Sequence, residues 1–185
     1  MDKKINLNDL IKTPDIVIGV LSDTHNQLND IVINSLQNCD AIIHAGDIGD
    51  AEVLEKLNTH ADYVFPVRGN NDTEEKWPTQ DLPALVDIPD NLELSFNNKV
   101  IAVTHGHQFH KVQTRHDKLR DQFPHADIIV YGHSHHLACD QQQVPWVINP
   151  GAGGYTRTFG GASCMILNYK NNSWDIEQFR INEEN

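Results

Sequence analysis

Apolar runs and helical periodicity alternate along the first half of the chain. Residues 15–22 are rich in β-branched side chains and end in a polar loop, which predicts a strand. The spacing of Leu28, Ile31, Val32 and Leu36 places them on one helix face and predicts a helix over residues 28–36. The same order returns as a strand over 41–44, a loop over 46–50, a helix over 51–57 and a strand over 63–67. This alternation is typical of an α/β fold with parallel pairing.

Strands dominate the second half of the chain. The apolar runs that predict them cover residues 92–96, 99–104, 127–131, 146–148, 163–169 and 173–181. Two pairs, Asn97-Asn98 and Asn171-Asn172, lie between neighbouring runs and can take the positive φ of a tight hairpin. One helix is predicted over residues 111–122 and is ended by Pro124.

The chain contains no internal repeat and no linker long enough to divide it. We interpret residues 15–185 as a single domain. Residues 1–14 form an N-terminal extension, for which a short helix over 7–12 and a mobile tail are equal alternatives.

Composition excludes several classes of partner. The chain has 14 basic and 26 acidic residues and a formal net charge of −12, so its surface repels long nucleic acid. No run approaches the ~18 apolar residues of a membrane span, and the first 14 residues lack the apolar segment of a signal peptide. The three cysteines are far apart, without a C-x-x-C pair, and we expect them to be reduced. We therefore expect a cytoplasmic protein without a membrane partner, and the sequence leaves monomer and homo-oligomer open.

Candidate metal-binding side chains follow the predicted strands. They are Asp23, His25, Asp47, Asn70, His105, His133 and His135. Loops at the carboxyl ends of strands in open α/β sheets converge on one crevice, so we expect these groups to meet there. Two of the loops carry candidates that are two residues apart, and an extended backbone would point both members of each pair to the same side.

Five motifs in this order, SDTH, AGD, GNND, THGH and GHSH, resemble the calcineurin-like metallophosphoesterase superfamily, and within it the small YfcE-type phosphodiesterases. The resemblance runs from about residue 16 to 181 and includes the Asn149-Pro150-Gly151 loop. It implies a four-layer αββα sandwich of two mixed β-sheets flanked by helices. It also implies that Asp47 bridges two metal ions, the first held by Asp23, His25 and His135 and the second by Asn70, His105 and His133.

The chemistry agrees with that implied centre. Two ions about 3.5–4 Å apart can generate a bridging hydroxide and clamp the oxygens of a phosphoryl group. Imidazole, carboxylate and amide ligands suit manganese, our leading candidate, as well as iron, nickel, cobalt or zinc. We therefore expect a phosphodiesterase that acts on a small phosphate ester. The alternatives are a phosphomonoesterase or nucleotide pyrophosphatase with the same centre, and a non-catalytic scaffold like the retromer subunit of this fold, against which the complete ligand set argues.

Two further residues are candidates for the catalytic steps. Asn71 stands where many members of the superfamily have histidine and the YfcE-like subgroup often has cysteine, and an amide donates a hydrogen bond but no proton. The role of leaving-group acid is therefore in doubt at this position. His107, second in THGH, either contacts substrate or faces solvent.

For the remaining polar residues near the motifs, the sequence gives weaker expectations. We expect His44 to be a hydrogen-bonded core group. Asp72 either bonds a metal-binding histidine or is a loop carboxylate, and Arg68 either neutralises phosphate or pairs with a surface acid. His136 follows the GHSH pair; because adjacent side chains diverge, we expect it to point away from the pair, and contact with a ligand or substrate is the alternative. We expect four other histidines to be solvated, namely His60, His110, His116 and His125.

Overall fold

The computed structural model describes residues 2–181, which form two mixed sheets and four α-helices. The five-stranded sheet contains β2 (Ile16–Leu21), β3 (Ala41–His44), β4 (Tyr63–Pro66), β10 (Ser163–Lys170) and β11 (Ser173–Arg180), in the order β11-β10-β2-β3-β4. The six-stranded sheet contains β1 (Asp2–Asn6), β5 (Asn91–Phe96), β6 (Lys99–Thr104), β7 (Ile128–Val130), β8 (Leu137–Asp140) and β9 (Trp146–Pro150), in the order β1-β5-β6-β7-β9-β8. The helices are α1 (Asp30–Ser35), α2 (Ala51–Asn58), α3 (Leu82–Val86) and α4 (Val112–Gln122).

Three buried clusters define the layers. The largest lies between the sheets, where Ile18 and Ile43 of one sheet face Leu94 and Ile101 of the other. A second cluster lies between the five-stranded sheet and α1, α2 and α3, and a third joins α4 to the six-stranded sheet. Burying apolar area on both faces of each sheet at roughly 25 cal/mol per Å² is the main stabilising contribution. The predicted four-layer αββα sandwich is confirmed.

The predicted strands and helices are confirmed with end shifts of at most two residues. Both asparagine pairs take the predicted turns, with φ of 49° and 65° at Asn97 and Asn98 and of 52° and 63° at Asn171 and Asn172. The sequence pattern did not predict β1, α3 or β8.

Residues 2–14 do not form the mobile tail that was one of the two alternatives. Strand β1 pairs in parallel with β5, and a 3-10 turn, Leu7–Asp9, follows where the short helix was the other alternative. The side chains of Leu7 and Ile11 are buried in the cluster between the sheets. This segment therefore packs on the same core as the rest of the described chain.

Parallel pairing brings the candidate side chains to one edge of the sandwich. Strands β2, β3 and β4 run in parallel, as do β6 and β7 in the other sheet. All five strands end at the segments that carry the candidates, so the carboxyl ends of both sheets contribute to one place. Across residues 2–181, no helix has the length and apolar content needed to cross a membrane.

Candidate metal centre

Backbone hydrogen bonds hold the first two loops against each other. Asp23 N donates to Gly46 O at 2.9 Å, and His25 N donates to Asp47 O at 3.0 Å. These bonds continue the pairing of β2 and β3 beyond the ends of the strands. The side chains of Asp23, His25 and Asp47 are thereby fixed beside one another.

One group of donor atoms comes from Asp23, His25 and His135. His135 Nε2 lies 3.3 Å from Asp23 Oδ1 and 3.3 Å from His25 Nε2. The ligand atoms of all three residues lie within 4.8 Å of one another. They match the set that the resemblance implies for the first metal.

A second group consists of Asp23, Asp47 and His105, again within 4.8 Å of one another. Asp47 Oδ2 lies 3.4 Å from His105 Nε2 and 3.8 Å from His25 Nε2. Its carboxylate therefore stands between the two halves of the site, where a bridging ligand would lie.

The remaining two candidates lie on the His105 side. The ring of His133 packs edge-on against that of His105, with centroids 5.3 Å apart. Asn70 lines an open cleft of about 540 Å³ together with His105 and His107. The structure thus brings the donor atoms of five of the seven predicted ligands together, and it places Asn70 and His133 beside them.

The backbone at five of the predicted ligand positions is not extended. The expectation that an extended backbone points ligands two residues apart to the same side is therefore wrong. Asp23, His25, Asp47, His133 and His135 all have left-handed backbones, with φ between 47° and 63°. This region is uncommon for residues other than glycine, and such residues cost of order 1–3 kcal/mol each where the surrounding structure imposes them. Their concentration in one place indicates a functional site.

Buried polar atoms that lack hydrogen-bond partners indicate whether the site suits a cation. Asp23 is fully buried, and neither of its carboxylate oxygens has a hydrogen-bond partner, nor does the buried Nε2 of His105. Buried polar atoms are normally hydrogen-bonded, and leaving a carboxylate unpaired is costly. Burial raises the pKa of Asp23 to about 7. The donor set and its unpartnered atoms fit divalent transition-metal ions.

His133 and His135 are prepared to act as neutral ligands. Burial lowers the pKa of His133 and of His135 to about 4, so their rings are unprotonated at neutral pH. His105 Nδ1 donates to Ala45 O at 2.8 Å, which turns Nε2 toward Asp47. Although burial alone would lower the pKa of His105, the carboxylates of Asp47 and Asp23 outweigh it and raise that pKa. Although burial alone would raise the pKa of Asp47, interactions with His105 and Asn71 outweigh it and hold that pKa well below its usual range.

Two glycines allow the loops to approach so closely. A Cβ at Gly69 would overlap the carboxylate of Asp47, and one at Gly46 would lie 2.6 Å from His105 Nδ1. Gly46 also has a φ of 94°, which favours glycine.

Asp72 is a loop carboxylate, one of the two alternatives, but it is buried and supports the neighbouring loops. Its carboxylate accepts hydrogen bonds from the backbone of Ile48 at 2.9 Å and Gly69 at 2.7 Å. It also accepts one from Trp77 Nε1 at 2.9 Å. The other alternative, a bond to a metal-binding histidine, is not among these contacts. Asp72 therefore joins the loops that follow β3 and β4.

Asn71 contacts the central carboxylate. Its backbone N donates to Asp47 Oδ1 at 2.8 Å, and its Nδ2 donates to Asp47 Oδ2 at 2.6 Å. Lys76 Nζ donates to Asn71 Oδ1. Asn71 therefore orients Asp47, whereas His107 is exposed and lines the cleft beside Asn70.

The expectation that His116 is solvated is wrong. The ring is half-buried, because its Nδ1 lies 2.8 Å from Asp140 Oδ2 and its Nε2 lies 3.1 Å from Tyr131 OH.

Arg68 lines the cleft, and its guanidinium donates to the backbone carbonyls of Leu85 and Val86. A role of Arg68 toward phosphate stays a prediction.

Sequence reasoning missed Arg157. Its Nη2 lies 2.6 Å from His25 Nε2, across 132 positions of sequence. Nearby, the ring of Phe159 stacks on that of His136 at 4.3 Å. Neither residue belongs to one of the five motifs, and only their position shortly after the Asn149-Pro150-Gly151 loop could have drawn attention to them.

The expectation for His44 is confirmed. The ring is fully buried, its Nδ1 accepts from Gly46 N at 3.3 Å, and its Nε2 lies 2.9 Å from Thr24 Oγ1, which donates to Ile48 O. A neutral ring protonated at Nε2 satisfies every one of these bonds. Burial, with a further contribution from His105, lowers the pKa of His44 to about 3.

The buried His44 gives a testable pH dependence. In the unfolded chain its pKa is about 6.5, so below that pH the unfolded state binds a proton that the folded state does not. The free energy of unfolding should therefore fall with acid by about 1.4 kcal/mol per pH unit from this one group. We expect His44→Gln to lose this part of the slope between pH 6 and 4, measured by urea denaturation of chelator-treated protein. Equal slopes in the two proteins would contradict a neutral His44.

Comparisons with known proteins agree with this geometry. A probable metallophosphoesterase of Methanocaldococcus jannaschii is 31% identical over 146 residues, which cover 74% of this chain and 68% of that protein. A phosphodiesterase of the same organism is 27% identical over 143 residues, covering 72% of this chain and 82% of that protein. The structure of vacuolar protein sorting 29 from Cryptosporidium parvum has the same fold, with a TM-score of 0.68 at 15% identity over 91% of this chain and 99% of that one.

The match to a protein family covers most of the chain. Residues 16–172 match the calcineurin-like phosphoesterase superfamily domain. That span includes all seven predicted ligands as well as Asn71 and His107. The fold, the convergent carboxylates and imidazoles and this match lead to one conclusion: the chain belongs to the calcineurin-like phosphoesterase superfamily and is a metal-dependent phosphoric ester hydrolase.

Proposed function

We propose that this protein is a phosphodiesterase that hydrolyses small phosphate esters at a centre of two divalent metal ions. Asp23, His25 and His135 would hold one ion, and Asn70, His105 and His133 the other, with Asp47 shared between them. Manganese is the proposed occupant, and iron, nickel, cobalt or zinc would also suit these ligands.

One observation carries the proposal. The carboxylate of Asp23 is fully buried, lacks hydrogen-bond partners and lies 3.3 Å from His135 Nε2. An ordinary structural carboxylate at such depth would be hydrogen-bonded or paired with a protonated group. His135 does not provide that charge at neutral pH, because burial lowers its pKa to about 4. A bound cation satisfies the carboxylate and the neutral imidazole at once.

Bound ions at this site would supply Lewis acidity toward the phosphoryl oxygens and lower the pKa of the attacking water. The residues of the chain would orient the metal ligands and admit the substrate. Asn71 orients the Asp47 carboxylate through two hydrogen bonds. Ala45 O fixes the ring of His105. His107 borders the cleft through which an ester group would reach the centre.

The proposal also covers the compartment and the partners. The three cysteines are free, which suits a reducing compartment such as the cytoplasm. The net charge of −12 disfavours long nucleic acid as a substrate. A small monoanionic ester can still bind, since the ions make the site locally cationic.

A metal-reconstituted substrate screen tests the function. The Mn²⁺-loaded protein is assayed with 4-nitrophenyl diesters, with 4-nitrophenyl monoesters and with a nucleoside diphosphate. We expect the highest kcat/KM for the diesters and complete loss of hydrolysis on chelation, with recovery when Mn²⁺ is added back. Preference for the monoester or the pyrophosphate would replace diester hydrolysis by that activity. A folded, Mn²⁺-loaded protein that hydrolyses none of them would reject the proposal in favour of a binding role.

A further inference from the structure

The segment 155–161 follows β9 and lies over the His25 side of the centre. Its backbone is ordered by bonds within it, since Phe159 N donates to Arg157 O at 3.1 Å and Gly161 N donates to Thr158 O at 2.6 Å. Asp30 N also donates to Tyr155 OH at 3.3 Å, which ties the segment to the start of α1. The exposed side chains of Arg157 and Phe159 are therefore held at defined positions beside the site.

Arg157 places a permanent positive charge at the rim of the centre. A guanidinium stays protonated and can only donate, so the 2.6 Å contact uses the lone pair of His25 Nε2. The same nitrogen lies 3.3 Å from His135 Nε2 and 3.8 Å from Asp47 Oδ2, among the donors assigned to the first metal. One lone pair cannot serve a metal ion and a guanidinium together. In the metal-loaded protein, Arg157 would therefore be released from His25, with its backbone still beside the site.

The chemistry of a released arginine at this place favours one ligand. A guanidinium binds phosphate oxygens with two parallel N–H donors, and these charge-assisted bonds are stronger than neutral ones. In the described structure Arg157 donates to an imidazole and not to a carboxylate at this contact. Arg157 can therefore move from His25 to an incoming anion without breaking an ion pair at this contact.

Next to Arg157, Phe159 offers a flat apolar surface. Its ring stacks on His136 at 4.3 Å with an interplanar angle of 18°, and half of its surface is exposed (52%). The ring of His136 is itself fixed, because Nδ1 lies 2.6 Å from Ser134 O. Phe159 also lies 6.4 Å from the ring of His135, a predicted metal ligand. An aromatic group bound to a phosphate at the centre would be within reach of this stack.

A cleft that His136 also lines offers space for an ester group. Its volume is about 470 Å³, and it is lined by Val112, Tyr131 and Ala138 together with the polar side chains of Arg115, His116, His133 and Ser134. An aromatic ester group that packs on Phe159 would therefore have room beside the centre.

We propose that Arg157 and Phe159 bind the substrate, and that the substrate is a monoanionic phosphodiester with at least one flat aromatic ester group. Arg157 binds a non-bridging oxygen of the phosphoryl group, and Phe159 packs against the aromatic group. This inference rests on the proposed diester hydrolysis at the adjacent centre. It extends that function by naming the substrate class and two substrate-binding residues outside the predicted ligand set.

The arginine is tested by binding measurements with Arg157→Ala, Arg157→Lys and, as a control, Arg180→Ala in the adjacent strand β11. Calorimetry measures first Mn²⁺ and then inorganic phosphate binding to the Mn²⁺-loaded protein. We expect Arg157→Ala to bind as much Mn²⁺ as wild type, with equal or higher affinity because a competitor for His25 is gone. Its phosphate affinity should fall about tenfold to hundredfold, with partial recovery in Arg157→Lys and little change in Arg180→Ala.

Two results would overturn the role of Arg157. Unchanged phosphate affinity in Arg157→Ala would show that the guanidinium does not bind the anion. Loss of Mn²⁺ together with phosphate would make Arg157 a support of the metal site instead. A wild-type protein that binds no Mn²⁺ and hydrolyses no ester rejects the proposed function itself, and this outcome is distinct from both.

The aromatic preference is tested with two diesters that share one leaving group, 4-nitrophenyl phenyl phosphate and methyl 4-nitrophenyl phosphate. The kcat/KM of the phenyl diester divided by that of the methyl diester should fall about threefold to tenfold in Phe159→Ala, because the KM of the phenyl diester rises. Phe179→Ala removes an exposed aromatic ring of β11, outside the segment, and should preserve the ratio. An unchanged ratio in Phe159→Ala, or an equal fall in Phe179→Ala, would reject stacking on Phe159.

Discussion

Replacement of Asp47 by alanine is expected to lower kcat/KM for ester hydrolysis by more than about 100-fold. Loss of a hydrogen-bond partner of a metal ligand already costs up to about 100-fold, and loss of a ligand itself should cost more. The reason is its position. Asp47 Oδ2 lies 3.4 Å from His105 Nε2 and 3.8 Å from His25 Nε2, between the two predicted ligand sets. No other described carboxylate combines this position with two hydrogen bonds from Asn71. Its loss should weaken the binding of both ions.

His107→Ala is the matched comparison for Asp47→Ala. His107 borders the same cleft but is exposed, and its ring centroid lies 5.7 Å from that of His105. We expect it to retain far more activity and its full Mn²⁺ content, whereas Asp47→Ala loses both. Circular dichroism and urea denaturation establish that each variant is folded. Equal residual activity in two folded variants would contradict the roles assigned to Asp47 and His107.

The rate of hydrolysis is expected to fall steeply as the leaving group becomes more basic. General acid catalysis typically contributes about 10²–10⁴-fold, and Asn71 cannot supply it. Its amide has no acidic proton, and its Nδ2 is already 2.6 Å from Asp47 Oδ2. The departing oxygen must therefore be stabilised by the metal ions or be protonated through water or another group, and diesters with poor leaving groups should react most slowly.

The measurement is kcat/KM across substituted phenyl diesters for wild type, Asn71→His and His107→Ala, under conditions where chemistry limits the rate. We expect a steep dependence on leaving-group pKa in wild type, a shallower one in Asn71→His and no change of slope in His107→Ala. A shallow wild-type slope that becomes steep only in His107→Ala would assign the proton donor to His107. Mn²⁺ content is determined for each variant, since Asn71 also orients Asp47.

The site was predictable because its residues share one relation to the strands. Asp23, Asp47 and His105 each lie within three residues of the end of a buried strand, and such ends are readable from apolar runs. Parallel pairing then brings them together without any knowledge of distances. The layers of the fold followed from the resemblance and from the same alternation of strands and helices.

The conformation of the site was not predictable from the same pattern. Spacing by two suggested extended backbone, but Asp23 and His25 are left-handed, because their loop is bonded to the one after β3. The role of Asp72 was also hidden, since its partners are backbone amides from two distant segments. Local sequence carries no signal for contacts of this kind.

Long-range contacts account for the other differences. Strand β1 has no buried side chain of its own, and it exists because its backbone pairs with β5, 89 positions away. Arg157 and His25 are 132 positions apart in the sequence and meet only in the folded chain. Both depend on tertiary placement, which overrides local pattern.

The presence of two metal ions in one centre is the claim on which the rest depends. Its most direct test is an anomalous diffraction measurement on crystals of the Mn²⁺-loaded protein. We predict two manganese peaks about 3.5–4 Å apart, with Asp47 between them, the first beside His25 and His135 and the second beside Asn70 and His133. A single peak, or manganese bound away from Asp47, would contradict the account.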